Sequence, residues 1–203
     1  MGLQIIKTFN YPGTDIRGIT FIGNRAYVSD LATTALLQCD LEFNIIRTIG
    51  TGNAFRGGVT SDGHSLFTID PVGNSVNKID LAGNVVRTFA LSTTSTFCAI
   101  HDNFRLILTD SDDNDFILYS IDGQVIKTYA SGTPFLHGLA FDTKNLYSLD
   151  FTDQLLHRVD RSANIIKSYA APGGNSLPIG FRYPYIYIAS LTDTKIYQCR
   201  VYS

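Results

Sequence analysis

Apolar residues in this chain come in short runs closed by turn residues, and the runs return at a fixed spacing of 40 residues. The segment Ile5-Ile6-Lys7-Thr8-Phe9 is answered by Ile45-Ile46-Arg47-Thr48-Ile49 and Val85-Val86-Arg87-Thr88-Phe89. Val125-Ile126-Lys127-Thr128-Tyr129 and Ile165-Ile166-Lys167-Ser168-Tyr169 follow without an insertion. Other columns keep the same period. Gly18, Gly58 and Gly138 open one run, Asp30, Asp70, Asp110 and Asp150 close another, and Asp40, Asp80 and Asp160 close a third. Within one unit, Gly58–Ser61, Leu66–Ile69, Val76–Asp80 and Val85–Phe89 are separated by Asp62-Gly63 and Ala82-Gly83-Asn84, which is hairpin-turn chemistry. Short runs rich in Val, Ile, Tyr, Phe and Thr predict strands, and no stretch carries a helical period.

Four strands per unit of about 40 residues is the mark of a propeller blade. Leu66-Phe67-Thr68-Ile69, Leu106-Ile107-Leu108-Thr109 and Ile186-Tyr187-Ile188-Ala189 are nearly continuous apolar runs, as expected for inner strands covered on both faces. The strand opening each repeat has Lys or Arg at its third position, which suits an outermost edge guarded by charge. The chain therefore predicts an all-β, five-bladed β-propeller forming one domain over residues 1–203. The repeats lie near 5–44, 45–84, 85–124, 125–164 and 165–203, with four antiparallel strands per blade. Only three strands of the last repeat follow its opening segment. The N-terminal strand, residues 3–9, is therefore expected to complete the last blade and shut the ring.

The unit G-[ILV]-x-F…L-Y-x-x-D…G-x-[IV]-[IV]-[KR]-[ST]-[FY] resembles the NHL repeat and its lactonase-like relatives. Gly138-Leu139-Ala140-Phe141, Leu146-Tyr147-Ser148-Leu149-Asp150 and Gly123-Gln124-Val125-Ile126-Lys127-Thr128-Tyr129 carry the likeness, which extends over essentially the whole chain. Such propellers commonly have six blades, so five is a departure. The resemblance implies either a protein- or RNA-binding platform, a sensor domain, or an enzyme such as a lactonase or lyase. Fold alone does not choose among them.

Charge and composition narrow the choice. The 203 residues carry 16 basic and 18 acidic side chains, a net charge of −2, which gives no electrostatic footprint for nucleic acid or an anionic membrane. No apolar run reaches the ~20 residues of a membrane helix and no leader pattern opens the sequence, so a cytoplasmic location is the default expectation. Cys39, Cys98 and Cys199 form no metal-binding or disulfide pattern and are expected as small core residues. The single glutamate, Glu42, falls in a turn on the face opposite the presumed site. Lactonase-like propellers hold a divalent metal with a Glu near the chain start plus Asn and Asp, and that Glu is missing here. His64, His101, His137 and His157 sit at different phases of the repeat and are not expected to converge on a metal.

A residue present in every copy serves the blade; a polar residue that breaks the repeat is the better candidate for function. The Asp30, Asp70, Asp110 and Asp150 column is accordingly read as structural, accepting backbone N–H bonds in the turn that follows. Of the equivalent positions Arg17, Gly57, Phe97, His137 and Leu177, just before the innermost strand, Arg17 and His137 are polar. With Arg56 they form a channel mouth suited to a carboxylate or phosphate. The run Asp110-Ser111-Asp112-Asp113-Asn114-Asp115 offers oxygens to a hard cation such as calcium, although the EF-hand pattern fails at Asp115 and Ile121. No cofactor is otherwise implied. The expected function is a monomeric, non-enzymatic platform for a protein, peptide or small ligand at the loop face, using Tyr11, Asp15, Arg17, Phe55, Arg56, Asp112, Asp113, Phe135 and His137. The alternative is a metal-assisted hydrolase or lyase.

Overall fold

The computed structural model describes residues 2–11, 13, 15–52, 55–93, 96–102, 105–110, 112–130 and 136–202. Strand β1 (Leu3–Asn10) opens the chain. The first blade follows as β2 (Ile16–Ile22), β3 (Arg25–Asp30), β4 (Ala35–Cys39) and β5 (Ile45–Thr51). The second holds β6 (Val59–Ser61), β7 (Leu66–Asp70), β8 (Ser75–Ile79) and β9 (Val85–Ala90). The third holds β10 (Thr96–Asp102), β11 (Arg105–Asp110), β12 (Asp115–Ser120) and β13 (Val125–Ala130). The fourth holds β14 (Leu136–Phe141), β15 (Leu146–Asp150), β16 (Leu155–Val159) and β17 (Ile165–Ala170). The fifth holds β18 (Ser176–Arg182), β19 (Tyr185–Ser190) and β20 (Lys195–Val201), completed by β1 in the order β1-β20-β19-β18.

The closing register runs from Leu3 opposite Val201 to Asn10 opposite Lys195, and the Tyr202 amide donates to the Gly2 carbonyl at 3.1 Å. The result is a five-bladed β-propeller of antiparallel four-stranded sheets. Closure gives β20 a backbone partner on both sides, while β1 becomes the outermost strand of its blade, with Lys7 on its outer edge.

The innermost strands β2, β6, β10, β14 and β18 contact one another around the axis. Five blades leave them little room. A Cβ placed on Gly18 would lie 2.3 Å from the Val59 backbone nitrogen, so the first inner strand can approach the second only through a glycine.

Farther out, each blade packs its faces on its neighbours. Between the fifth and first blades, Phe43 from the β4–β5 turn is 1% exposed. Its ring centroid lies 5.1 Å from that of Phe9, 6.3 Å from Phe21 and 5.9 Å from Tyr187, largely edge-on. Cys39 and Cys199 are buried free thiols, and burial pushes both up to about 12.

The repeated carboxylates fasten turns at both ends of the first, second and fourth blades. Asp30 Oδ1 accepts the Ala32 amide at 2.9 Å, Asp70 Oδ1 those of Val72 and Gly73, and Asp150 Oδ1 those of Thr152 and Asp153. On the opposite face Asp40, Asp80 and Asp160 each accept two backbone amides and the side-chain amide of Asn44, Asn84 or Asn164. These bonds hold all three carboxyls below the usual range.

The Lys/Arg column does more than guard an edge. Lys7 reaches Glu42 at 2.6 Å, Arg47 donates to the Leu81 carbonyl at 2.6 Å, and Arg87 pairs with Asp122. Each links an outer strand to the turn of the next blade.

Truncating Phe43 to alanine removes the ring that fills the wedge between the first and last blades. Urea unfolding of F43A is expected to show a loss of about 3–5 kcal/mol, with the fold retained in buffer.

Candidate functional site

The loops between blades and those after each second strand share one face. On it, the inner strands begin with an irregularity. In the first blade Ile16 pairs with Asp30 and Gly18 with Ser29, so Arg17 is the extra residue of a β-bulge. In the fourth, Leu136 pairs with Asp150 and Gly138 with Leu149, which makes His137 the extra residue. A bulge re-aims its side chain and ends regular pairing. The same shift occurs at Phe97 in the third blade and between Ser176 and Ile179 in the fifth, so the bulge belongs to the repeat, and Arg17 and His137 stand out by their side chains alone.

Arg17 is half-buried and forked onto Asp15. Its Nε lies 2.8 Å from Asp15 Oδ1, and its Nη2 donates to Asp15 Oδ2 at 3.1 Å. His137 is half-buried, with its ring edge-on to Phe151 at 5.3 Å. Burial pulls its pKa below the ordinary histidine value, the Arg17 guanidinium pulls it further down, and the Asp150 carboxylate opposes both. The charge of Arg17 thus acts on His137, 120 residues away in sequence. Arg56 is half-buried in the segment leading into β6, and its Nε is buried with no hydrogen-bond partner among the described residues.

The remaining candidates divide. Tyr11 and Phe55 are 3% and 5% exposed and belong to the packing. A Cβ at Gly50 would meet the Phe55 ring at 2.5 Å, so that ring occupies the space a side chain would need. Burial and the nearby Asp30 carboxylate push the Tyr11 phenol up. The expectation that these two rings present an aromatic contact surface is corrected: each is the apolar plug of its own loop. Phe135 lies outside the described residues. Asp112 and Asp113 are exposed in the β11–β12 turn, where the Asp112 amide donates to Asp110 Oδ1 at 3.0 Å. Burial first, then the charges of Asp113 and Asp110, raises the Asp115 carboxyl. Among the described residues no three His, Cys, Asp or Glu side chains converge as a metal set.

A cavity of only about 10 Å³ is lined by Arg17, Gly18, Gly58, Val59, Leu139, Pro178 and Ile179. A second of about 280 Å³ lies farther along the inner strands, beside Thr20, Thr60, Ile100, Ala140 and Gly180.

No protein-family model matches this chain, and no curated protein matches it in sequence. Solved structures do share its fold. A glutaminyl cyclase of Myxococcus xanthus superposes with a TM-score of 0.83 at 14% identity, covering 98% of this chain and 95% of that one. Virginiamycin B lyase of Staphylococcus aureus gives 0.61 at 18% identity, covering 97% and 70%. A chain of a nidogen/laminin complex gives 0.66 at 15% identity, covering 88% and 73%. These neighbours include both enzymes and a binding complex, and at such identities they establish the propeller architecture alone.

A depressed histidine pKa carries a sign. Below about pH 6.5 the unfolded chain binds a proton that folded His137 resists. Its contribution is therefore full above that pH and is lost as pH falls through the folded value. In NMR titrations the His137 imidazole is expected to titrate below 6.5, and R17A to bring it back up. An unmoved His137 in R17A would show that the two groups do not couple.

Proposed function

We propose that this propeller is a rigid, non-enzymatic binding platform whose loop face takes an anionic group, a carboxylate or phosphate, of a protein or peptide partner. The observation that supports this reading best is Arg56. Its buried Nε–H has no acceptor among the described residues, and a bound oxyanion would supply one. Arg17 and His137 lie on bulges at the same mouth. Because Arg17 is already forked onto Asp15, its role is to set the field, and Arg56 makes the contact. Exposed Asp112 and Asp113 would select against ligands with negative charge on the third-blade side. The short loops and the cavity of only about 10 Å³ beside Arg17 suit a surface contact that excludes little water.

The enzymatic alternative, a metal-assisted hydrolase or lyase, draws support from the end-to-end likeness to a solved cyclase. It would require a divalent ion on the loop face.

The deciding measurement is a ¹⁵N NMR titration with a short acidic peptide, Asp-Glu-Asp-Glu. Saturable shifts are expected around residues 15–18 and 55–58, weakened about tenfold in R56A with the fold intact. Absence of saturation, or an R56A response equal to that of the parent, would overturn the proposal. Native mass spectrometry showing a retained divalent ion lost in loop-face Asp variants would put the enzyme reading in its place.

A further inference from the structure

On the face opposite the proposed platform, the wedge between the third and fourth blades is open. A groove of about 240 Å³ lies there, lined by Ile107, Phe116, Leu118, Tyr129, Phe141 and Ala163. It is the fourth-blade counterpart of the place occupied by Phe43. Shifting Phe9, Phe21 and Phe43 by three repeats gives Tyr129, Phe141 and Ala163, and shifting Tyr187 back by two gives Ile107. The walls correspond, but the position of the Phe43 ring carries only a methyl group; at Gly83 and Gly123, by contrast, a Cβ would lie 2.2 Å from the Ile49 carbonyl oxygen and 2.6 Å from the Phe89 ring, so no plug is needed there. The backbone is ready for a larger residue, since φ is 63° at Phe43 and 67° at Ala163.

Three further departures from the repeat fall at this one wedge. Leu118 stands in a column otherwise made of Gln38, Lys78, Arg158 and Gln198, which makes the groove wall apolar. Arg161 replaces Leu41, Leu81 and Ile121 and stands exposed at the rim. Ser162 replaces Glu42 and Asp122, so the inter-blade ion pair that Lys7 and Arg87 make has no carboxylate here, and Lys127 lies over the Tyr129 ring at 4.4 Å.

The groove also has a polar end. Asp102 is 7% exposed and lines it. Its Oδ2 lies 3.6 Å from an Arg105 guanidinium nitrogen, while its Oδ1 is buried with no hydrogen-bond partner among the described residues. The carboxylate of Asp160, by contrast, is spent on its own turn. The site thus combines a slot for one ring, a buried carboxylate oxygen with no partner among the described residues and, at the rim, two guanidinium groups, Arg105 and Arg161.

We propose that this groove binds a small aromatic amino acid. The ring takes the place that Phe43 fills in the first blade, the ammonium donates to Asp102 Oδ1, and the carboxylate meets Arg161. The size fits: an apolar cavity of roughly 150 Å³ accepts benzene, and the remaining volume holds a short polar head. Desolvating the ring supplies affinity, and the two charges supply selection over neutral hydrocarbons. The site lies across the molecule from the loop-face mouth and does not depend on it.

The test is a ¹⁵N NMR titration with L-phenylalanine, phenethylamine and 3-phenylpropionate at about millimolar concentration. L-phenylalanine is expected to shift residues of β11, β12 and the β16–β17 turn saturably and to bind most tightly. D102N is expected to weaken L-phenylalanine and phenethylamine about tenfold and to leave 3-phenylpropionate unchanged. A163F places a ring in the slot from within. It is expected to abolish all three responses and raise the melting temperature by several degrees. If A163F does not fold, A163L answers the same question with a smaller plug. No saturable shift in the parent, an unaltered response in the folded plug variant, or equal binding of neutral 3-phenylpropionamide would overturn the proposal.

Discussion

Packing between neighbouring sheets is the constraint on which the rest of this molecule depends. Blades radiating from an axis leave wedges between them, narrow at the centre and wide at the rim. Twisted sheets packed face to face keep a spacing near 10 Å only where side chains of suitable size stand between them. At the axis the demand is for nothing at all, which Gly18 meets. At the rim the demand is for bulk, which Phe9, Phe21, Phe43 and Tyr187 meet together between the last blade and the first. A wedge with too little bulk becomes a cavity, as it does beside Ala163.

Ring closure and turn chemistry then make the body stiff. Carboxylates recur at both ends of the blades, and each accepts amides of its own turn, so loops are short and fixed from within. Recognition on such a body has to come from side chains changed in place, because the backbone has little freedom to move. Both candidate sites follow that rule. At the loop face the changes are polar residues on bulges; at the opposite face they are a lost plug and a lost polar column.

Most of the architecture was legible because period, turn residues and apolar runs all pointed the same way. The pairing of Leu3 with Val201 followed from counting strands, and the role of Asp30 and Asp150 from their recurrence. Site reading relied on chemistry that broke the period, at Arg17 and His137, which the structure places half-buried at the starts of their inner strands. It failed where exposure had to be guessed. Tyr11 and Phe55 sit in loops by sequence, and only the packing shows that their rings turn inward. The Lys/Arg column looked like edge protection because its partners lie 34 or 35 positions away, on a turn of the next blade. The groove escaped notice for a related reason. A search for polar interruptions passes over Ala163, which leaves its wedge unfilled where Phe43 fills its own, and Leu118, which is greasier than its counterparts.

The pairing of β1 with β20 sets a condition on biosynthesis. Of the strands of this ring, β1 is made before the others and its hydrogen-bonding partner β20 after them, so β1 must wait, edge open, while four complete sheets form behind it. During that interval Ile5 and Ile6 sit on an unclaimed edge beside a single ammonium, Lys7, which is the only positive charge on that strand. The same lysine that later joins Glu42 is then the main local deterrent to capture by a neighbouring nascent chain.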